Sequence, residues 1–312
     1  VKKELLGTGV NASNISYSGN NSTRAVFNGG NSIGFHLDEG IILCTGDALK
    51  LHAWNHDNGT SDNVGGDGDK DLDNLLKEDG LKTFDESVLE FDFNPTSNVI
   101  QFEYIFGSEE YPEYVGSQYN DIFAFLVSGP KPGGGYYDKI NLARVPGSNE
   151  IITINTINHN LNENLFIENP INANKIQLTI DGFTTVLTAK IDVIPNTKYH
   201  IKIAIADVSD HDFDAYVFLK KNSFSSPELS VKNMNMPLVH GDRQINGDIY
   251  ISNKNQDGSW DDPMLISDSI NTPYSERTPF LHPDLKTLYF SSDGHGSLGK
   301  LDVYKSTRLS DS

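Results

Sequence analysis

The chain has 312 residues, and 24 Lys and Arg against 43 Asp and Glu give a formal net charge of −19 at pH 7. This acidic excess argues against nucleic acid as a partner, because phosphate binding needs clustered Lys and Arg. The single cysteine, Cys44, lies in the apolar run GIILCTGD and predicts a buried small side chain rather than a nucleophile. No apolar run approaches the roughly 18 to 20 residues that span a bilayer, so we expect no membrane span in this chain.

An aspartate-rich segment, DGDKDLDNLLKE at 67–78, opens the one plausible short helix, at 71–80. Position 6 of an EF-hand register is Leu72, where the sharp turn of that loop requires glycine. The segment is therefore interpreted either as a Ca²⁺ loop of another kind or as a solvated helix N-terminus whose acids favour the helix dipole. The candidate ligands, in register order, are Asp67, Asp69, Asp71, Asp73 and Glu78.

Alternation of apolar and polar residues dominates the chain up to about residue 221 and predicts half-buried strands. VLEFDF shows it with Leu89, Phe91 and Phe93 on one face, and NVIQFEYIF, KIQLTI, VLTAKIDVI and YHIKIAIAD follow the same pattern. NDIFAFLVSG is apolar on both faces, which predicts a central strand covered on two sides. Many short strands without crossover helices indicate an all-β fold, an antiparallel β-sandwich or jelly roll.

Two acidic clusters lie next to predicted strands. GSEEYPEYVGSQYND carries Glu109, Glu110 and Asp121, and IADVSDHDFDAYVFL carries Asp207 and Asp214. Ca²⁺ prefers oxygen ligands and takes 6 to 8 of them at about 2.3 to 2.6 Å. If the IAIAD strand lies beside NDIFAF, both loops meet at one sheet edge and share an ion. The alternative is an exposed acidic turn whose side chains cap the local backbone.

Aromatic side chains in the predicted loops indicate contact with a sugar or protein surface. The candidates are Trp54, Tyr111, Tyr114 and Tyr119. In the alternative interpretation, several of these rings only cover the ends of the sandwich. The sequence contains no nucleophile-elbow, zincin or P-loop motif, so we expect no catalysis. A carbohydrate-active enzyme stays open as an alternative, because glycosidases use two carboxylates about 5 to 10 Å apart.

The first domain is predicted at residues 1–224, followed by a Ser- and Pro-containing linker at 225–236. Residues 237–312 contain a repeat, in which Asp248 matches Asp302 at a spacing of 302 − 248 = 54 residues. A period of this size in strand-rich sequence predicts propeller blades. The segment supplies about one and a half blades, whereas a closed propeller needs roughly 4 to 8, so we expect a partial β-propeller.

Several runs occur in order along residues 1 to about 225: GTGVNASNISYSG, GIILCTGD, ESVLEFDF, GSEEYPEYVGSQYNDIFAFLVSGP, DGFTTVLTA and YHIKIAIADVSDHDFDAYVFLKKNSF. Through them the chain resembles the choice-of-anchor L domain of secreted and surface proteins of bacteria, especially Bacteroidetes. Residues 237–312 are similar to TolB-type propeller repeats, through ERTPFLHPDLKTLYFSSDGHGSLGKLDVY.

The resemblance implies architecture and location more than activity. Such domains belong to large exported proteins with varied C-terminal anchors, often a type IX secretion signal, and adhesion is inferred for many; gliding-motility adhesins are one setting. The chain starts at Val1 without a signal peptide and shows no such C-terminal signal, so we expect a processed piece.

We therefore expect a noncatalytic, secreted or cell-surface binding or adhesion module, stabilised by Ca²⁺. Its expected partners are a glycan or protein surface and the secretion machinery. A passive spacer or cargo domain is a further alternative.

Overall fold

The structure, a computed structural model, describes every residue except 58, 78–79, 228, 241–242, 255–258, 283–285, 297–298 and 309–312. The chain divides into two compact units. The first comprises Val1–Pro95 and Val99–Ser226, and the second comprises Thr96–Asn98 and Pro227–Ser312. Glu78, the last candidate ligand of the EF-hand register, lies outside the described residues.

The first unit is a sandwich of two antiparallel sheets. Its strands in the described residues are β1 (Val10–Gly19), β2 (Arg24–Phe27), β3 (Gly40–Cys44), β4 (Thr83–Pro95), β5 (Val99–Ser108), β6 (Ile122–Pro130), β7 (Tyr136–Asn141), β8 (Phe166–Glu168), β9 (Gly182–Thr184), β10 (Leu187–Asp192), β11 (Tyr199–Val208) and β12 (Ala215–Lys220). The five-stranded sheet has the order β1-β4-β11-β6-β7. The seven-stranded sheet has the order β2-β3-β12-β5-β9-β8, with β10 also paired to β5. The all-β sandwich predicted from the alternating pattern is confirmed.

Aromatic side chains from both sheets form the core between them. Phe125 of β6 lies 4.8 Å from Phe102 and 4.8 Å from Tyr104 of β5, measured between ring centroids, and so joins the two sheets. Each such ring buries about 150–250 Å² and favours these edge-on arrangements. The apolar faces predicted for VLEFDF, NVIQFEYIF and YHIKIAIAD are the faces that line this core.

Strand β6 is covered on both faces, as its sequence predicts. Phe123 and Phe125 point into the core between the sheets, whereas Ile122 and Ala124 belong to a separate cluster on the outer face. That cluster is closed by Leu72 of the helix α1 (Lys70–Leu75). The helix is shorter than the predicted 71–80. Three 3₁₀ helices, Asn21–Thr23, Gly30–Ile33 and Glu163–Leu165, complete the helical segments of the described residues.

The prediction that KIQLTI forms a strand is wrong. Residues 175–181 form a series of bends outside both sheets. The side chain of Asn169 donates to the carbonyl oxygens of Leu178 and Ile180 at 3.0 and 2.9 Å, so these acceptors are not available to a strand ladder. The alternating apolar residues still reach a second buried cluster, which explains the pattern.

The second unit contains two three-stranded antiparallel sheets. They are formed by β13 (Leu229–His240), β14 (Arg243–Asn253) and β15 (Met264–Leu265), and by β16 (Glu276–Leu281), β17 (Thr287–Ser292) and β18 (Asp302–Thr307). Strand β13 begins inside the segment predicted as a linker, 225–236, which is therefore not irregular throughout. Asp248 lies in the middle strand of its sheet, whereas Asp302 begins the edge strand β18, so the two repeat positions are not equivalent here. The propeller stays a prediction. No helix of the described residues is long and apolar enough to cross a bilayer.

Helix α1 offers a matched pair of leucines for testing its packing on the sheet. Leu72 is fully buried, whereas Leu75 is 38% exposed. We expect Leu72→Ala to lower the free energy of unfolding by about 2 to 4 kcal/mol, because it leaves a cavity on the outer face of the five-stranded sheet. Leu75→Ala is expected to cost less than about 1 kcal/mol. Urea denaturation measures both, and equal losses would contradict this packing.

Candidate functional site

Three loops cross from one sheet to the other at the same end of the sandwich. They connect β3 to β4 (45–82), β5 to β6 (109–121) and β11 to β12 (209–214). The registers place the loops together, because Tyr216 pairs with both Cys44 and Gly107, and Ala206 pairs with Ile122. We call this region the crossover end. Nearly all of the candidate acidic residues lie here.

The seven-stranded sheet contributes a row of three carboxylates across three adjacent strands. Glu109 follows β5, and its backbone N–H donates to the carbonyl oxygen of Asp214, just before β12, at 3.1 Å. On the other side of β5, Ser108 pairs with Gly182 of β9, so the same register brings Asp181 opposite Glu109. Side chains directly opposite one another on neighbouring strands lie about 4.5 to 5.5 Å apart at Cβ. Glu109 therefore sits between two other acids.

The five-stranded sheet contributes two further carboxylates, Asp121 and Asp207. Strands β11 and β6 are antiparallel neighbours, and continuing their register sets Asp207 opposite Asp121. The hypothesis of a shared ion required IAIAD to lie beside NDIFAF, and the two strands are neighbours. The Asp121 carboxylate accepts from the N–H of Val208 at 3.1 Å, and the Asp121 N–H donates to Glu110 at 3.3 Å. The pairing of β6 with β11 thus brings Glu110, Asp121 and Asp207 close together.

These acids are buried and incompletely hydrogen-bonded. Glu109 and Asp121 are 1% exposed and Asp207 is 0% exposed. Among the described residues, no hydrogen-bond partner reaches either carboxylate oxygen of Glu109 or Asp207, or Oδ2 of Asp121. The Thr179 hydroxyl and the Thr60 backbone lie near the Glu109 carboxylate, and the Thr45 hydroxyl lies near that of Asp207, but none of these contacts has the geometry of a hydrogen bond. A buried carboxylate oxygen without a hydrogen bond lowers the stability of the fold, so it is unusual to find several of them together at the crossover end.

Burial and mutual repulsion change the proton affinity of the cluster. Burial raises the pKa of both Glu109 and Glu110 to about 8, and it raises the pKa of Asp214 to about 7. Burial also raises the pKa values of Asp121 and Asp207 well above their usual range, with neighbouring carboxylates adding to the effect. Each shift follows from placing negative charge in a medium that solvates it poorly.

The backbone around these carboxylates includes a glycine and two residues with positive φ. A Cβ atom on Gly46 would lie 1.8 Å from Oδ2 of Asp214, so only glycine fits beside that carboxylate. Ser209 and Phe213, in the loop between β11 and β12, have φ of 82° and 65°, which is strained for residues with a side chain. Such strain is often concentrated at functional sites.

The carboxylates are not already gathered around a common point. Among the described residues, no group of three or more His, Cys, Asp or Glu side chains is arranged to hold a metal ion. Binding a cation here would therefore require some of these side chains to change rotamer.

The aspartates of 67–73 are arranged differently. The Asp69 carboxylate caps α1 by accepting from the N–H groups of Asp71 and Leu72. Lys202 forms ion pairs with both Asp69 and Asp71. Asp73 accepts from the backbone and hydroxyl of Thr83 at 2.9 and 2.8 Å, and Asp67 is exposed. These contacts match the helix N-terminus interpretation, because the Asp69, Asp71 and Asp73 carboxylates already have partners within the protein.

The aromatic candidates separate into buried and accessible rings. Tyr111 is fully buried, and its hydroxyl donates to the carbonyl oxygen of Ile157 at 2.7 Å, so the expectation that it is exposed is wrong. Tyr114 and Tyr119 are half-buried and contact each other, with ring centroids 5.8 Å apart. Phe213 lies 4.9 Å from Tyr114. Trp54 is 41% exposed. Three of the four predicted rings are thus accessible at the crossover end.

Sequence reasoning missed several polar groups of this region. Asp181 follows an apolar run that resembled a strand, and Asp85, the third residue of β4, lies in the left-handed region with φ of 47°. Asp85 is fully buried and pairs with His211 at 2.8 Å. Asn55 lies 126 positions from its partner Asp181. Only the fold brings these residues together, and no local pattern marks them.

The comparison with protein families identifies the first unit. A family model described as the choice-of-anchor L domain matches residues 1–225. The chain belongs to this family. Choice-of-anchor L domains are cell-surface or secreted modules, and this places the first unit in that class. No curated protein and no solved structure matches the chain.

The buried acids predict an unusual pH dependence when divalent cations are removed. Carboxyl groups of the unfolded chain have a pKa of about 4, whereas burial raises the pKa of Glu109 and of Glu110 to about 8 in the folded state. The folded state therefore binds more protons between these values, and its free energy of unfolding falls as the pH rises from about 5 to about 8. We expect a fall of at least roughly 3 kcal/mol, since a tenfold change in proton affinity corresponds to about 1.4 kcal/mol.

Urea denaturation in resin-treated, cation-free buffer measures this slope. Glu109→Gln should raise the stability at pH 8 and flatten the slope, because the glutamine carries no charge. Asp138→Asn, at an exposed position of β7, is the matched control and should change neither. Stability that is constant or increases from pH 5 to pH 8 would contradict the assignment.

Proposed function

We propose that this chain is a noncatalytic binding module of an exported bacterial protein, in which Ca²⁺ orders the loops of the crossover end. The observation that carries the proposal is the convergence of buried, unpaired carboxylate oxygens at the crossover end, those of Asp121 in the β5–β6 loop and Asp207 at the end of β11 above all. Glu110 and Asp214 complete the set that we name the first cation site. Oxygen donors alone, without sulfur or imidazole, favour a hard cation such as Ca²⁺.

Electrostatics support an ion rather than a permanent counter-charge from the protein. No Lys, Arg or His among the described residues forms an ion pair with Glu110, Asp121, Asp207 or Asp214. Four carboxylates near one another repel unless they bind protons or a cation. A divalent ion would remove this repulsion at neutral pH, and the free energy of binding would then stabilise the folded loops.

The burial of the same acids supports a noncatalytic role. Glu110 and Asp121, two acids that the glycosidase alternative would use, are each 1% exposed. Glycoside hydrolysis needs both carboxyl groups at the surface of a sugar cleft. Carboxylates covered by the loops cannot reach a polysaccharide in this arrangement, whereas they can hold an ion that fixes those loops.

The ordered loops would present aromatic rings to a ligand. Tyr114, Tyr119 and Phe213 form a half-buried cluster, and Trp54 stands more exposed on the long β3–β4 loop. Rings of this kind supply apolar area together with a polar edge, which suits a glycan or a protein surface. Adhesion through these loops agrees with the surface location of the family.

The remaining features of the proposal concern the parent protein. We infer export through the type IX system of a Bacteroidetes cell, with secretion machinery as a partner, and a TolB-like propeller segment at 237–312. The resemblance of the sequence motifs supports both inferences. Gliding motility is one setting in which such a module would act.

The first cation site predicts a substitution whose effect changes sign with Ca²⁺. In cation-free buffer at pH 8, Asp207→Asn should raise the melting temperature, because it removes a buried charge. In saturating Ca²⁺, the same variant should melt below the wild type, because it has lost a ligand. Wild-type stability should rise with Ca²⁺ by mass action, about 2.7 kcal/mol at 100 times Kd.

Differential scanning calorimetry in both buffers, with Mg²⁺ as a second cation and Asp138→Asn as the matched variant, checks the reversal. A wild-type protein that gains no stability from Ca²⁺ would contradict the first site. So would an Asp207→Asn variant that gains as much as the wild type.

The two tryptophans provide a matched test of ligand binding. Trp54 lies at the crossover end, whereas Trp260 lies in the second unit. On glycan arrays and bacterial-surface extracts in Ca²⁺, Trp54→Ala should reduce binding at least about tenfold, as for an aromatic anchor. Trp260→Ala should leave it unchanged. Equal effects of the two substitutions would remove the crossover end as the binding surface, and polysaccharide hydrolysis would replace the proposal by the enzyme alternative.

A further inference from the structure

A second group of unpaired oxygens lies beside the first cation site, where β5 ends and the bends that precede β9 approach it. Glu109 has two unpaired carboxylate oxygens, and Asp181 has one, Oδ2. Asn55 contributes Oδ1 and Thr179 contributes Oγ1, and neither atom has a hydrogen-bond partner among the described residues. All four residues are more than nine-tenths buried. We call this group the Glu109–Asp181 cluster.

A hydrogen-bond network fixes the orientation of two of these side chains. The Asn55 amide nitrogen donates to Oδ1 of Asp181 at 2.7 Å and to the carbonyl oxygen of Asn169 at 2.8 Å. Both partners are acceptors, so the amide cannot be reversed and its oxygen is left unpaired. Asn169 in turn donates to the backbone of Leu178 and Ile180. Asp181 is therefore held by one oxygen while its second oxygen is left free.

The position of Glu109 is fixed independently by the sheet. Its backbone bonds to Asp214 on one side, and the β5–β9 register sets it opposite Asp181 on the other. Two buried carboxylates on opposed positions repel each other unless one is protonated or a cation lies between them. Five unpaired oxygen atoms and two acidic side chains therefore lie in one buried region. Hydrogen bonds within the protein do not explain why these oxygen atoms are buried together without partners.

We propose that the Glu109–Asp181 cluster is a second divalent cation site, distinct from the first, with Ca²⁺ as its ion. Glu109 and Asp181 supply the negative charge, and the Asn55 and Thr179 oxygens complete a set of hard donors, with water filling the remaining positions. The site links three separate segments of the chain: the β3–β4 loop, the end of β5, and the bends that precede β9. The β3–β4 loop and the bends before β9 have no strand ladder at this point, so an ion would connect them to the end of β5.

The second site deepens the proposed function, because it anchors the loop that carries Trp54, next to Asn55. Isothermal titration of CaCl₂ into cation-free protein at pH 7.5 counts the ions. We expect two per chain in the wild type. Asp181→Asn should retain one, and Asp121→Asn should retain the other. The intrinsic emission of Trp54, isolated by Trp260→Phe, should respond to Ca²⁺ in Asp121→Asn and not in Asp181→Asn.

The possible counts separate the two proposals. One ion in the wild type that Asp121→Asn removes and Asp181→Asn retains would overturn the second site alone. No ion in the wild type would overturn both sites. Thr179→Val guards against misfolding of the charge variants, because it keeps the shape of the side chain. It should weaken one of the two binding events by about tenfold, as for other supporting groups of metal sites, and leave the other unchanged. Two unchanged events would also overturn the second site.

Discussion

Repulsion among buried carboxylates is the constraint on which the crossover end depends. Strand pairing in both sheets fixes Glu109 and Asp214 side by side and sets Asp121 opposite Asp207, so these acids cannot move apart without breaking ladders. The aromatic core between the sheets makes those ladders stable. The fold therefore holds together a set of charges that would separate in a flexible chain, and only protons or a cation can relieve the resulting cost.

This arrangement connects packing to function through the loops. Outside helix α1, the crossover loops form no regular secondary structure among the described residues. An ion bound at the strand ends would supply the missing order outside the sheets, and it would do so only where Ca²⁺ is abundant. Such a device suits a module that acts outside the cell. It also explains why the accessible rings lie on the same loops as the acids.

The sandwich could be predicted from the sequence because strand faces leave a period-two pattern, as in VLEFDF. The pairing of the strands next to Asp121 and Asp207 was only a hypothesis, because periodicity does not say which strands are neighbours. Burial of Tyr111 could not be predicted, since a tyrosine in a loop can turn either way. KIQLTI carried the same pattern without forming a strand, because side chains of distant residues took its backbone acceptors. The contact between Asn55 and Asp181 could not be predicted, because 126 positions separate the two residues and only the tertiary structure brings them together.

The most direct measurement is anomalous diffraction from crystals grown in Ca²⁺ and then exchanged into Tb³⁺. The account predicts one anomalous peak among Asp121, Asp207, Glu110 and Asp214, with those carboxylates turned toward it, and another between Glu109 and Asp181. Absence of both peaks would contradict the central claim that this end of the sandwich binds cations. So would a single peak at the aspartates of 67–73.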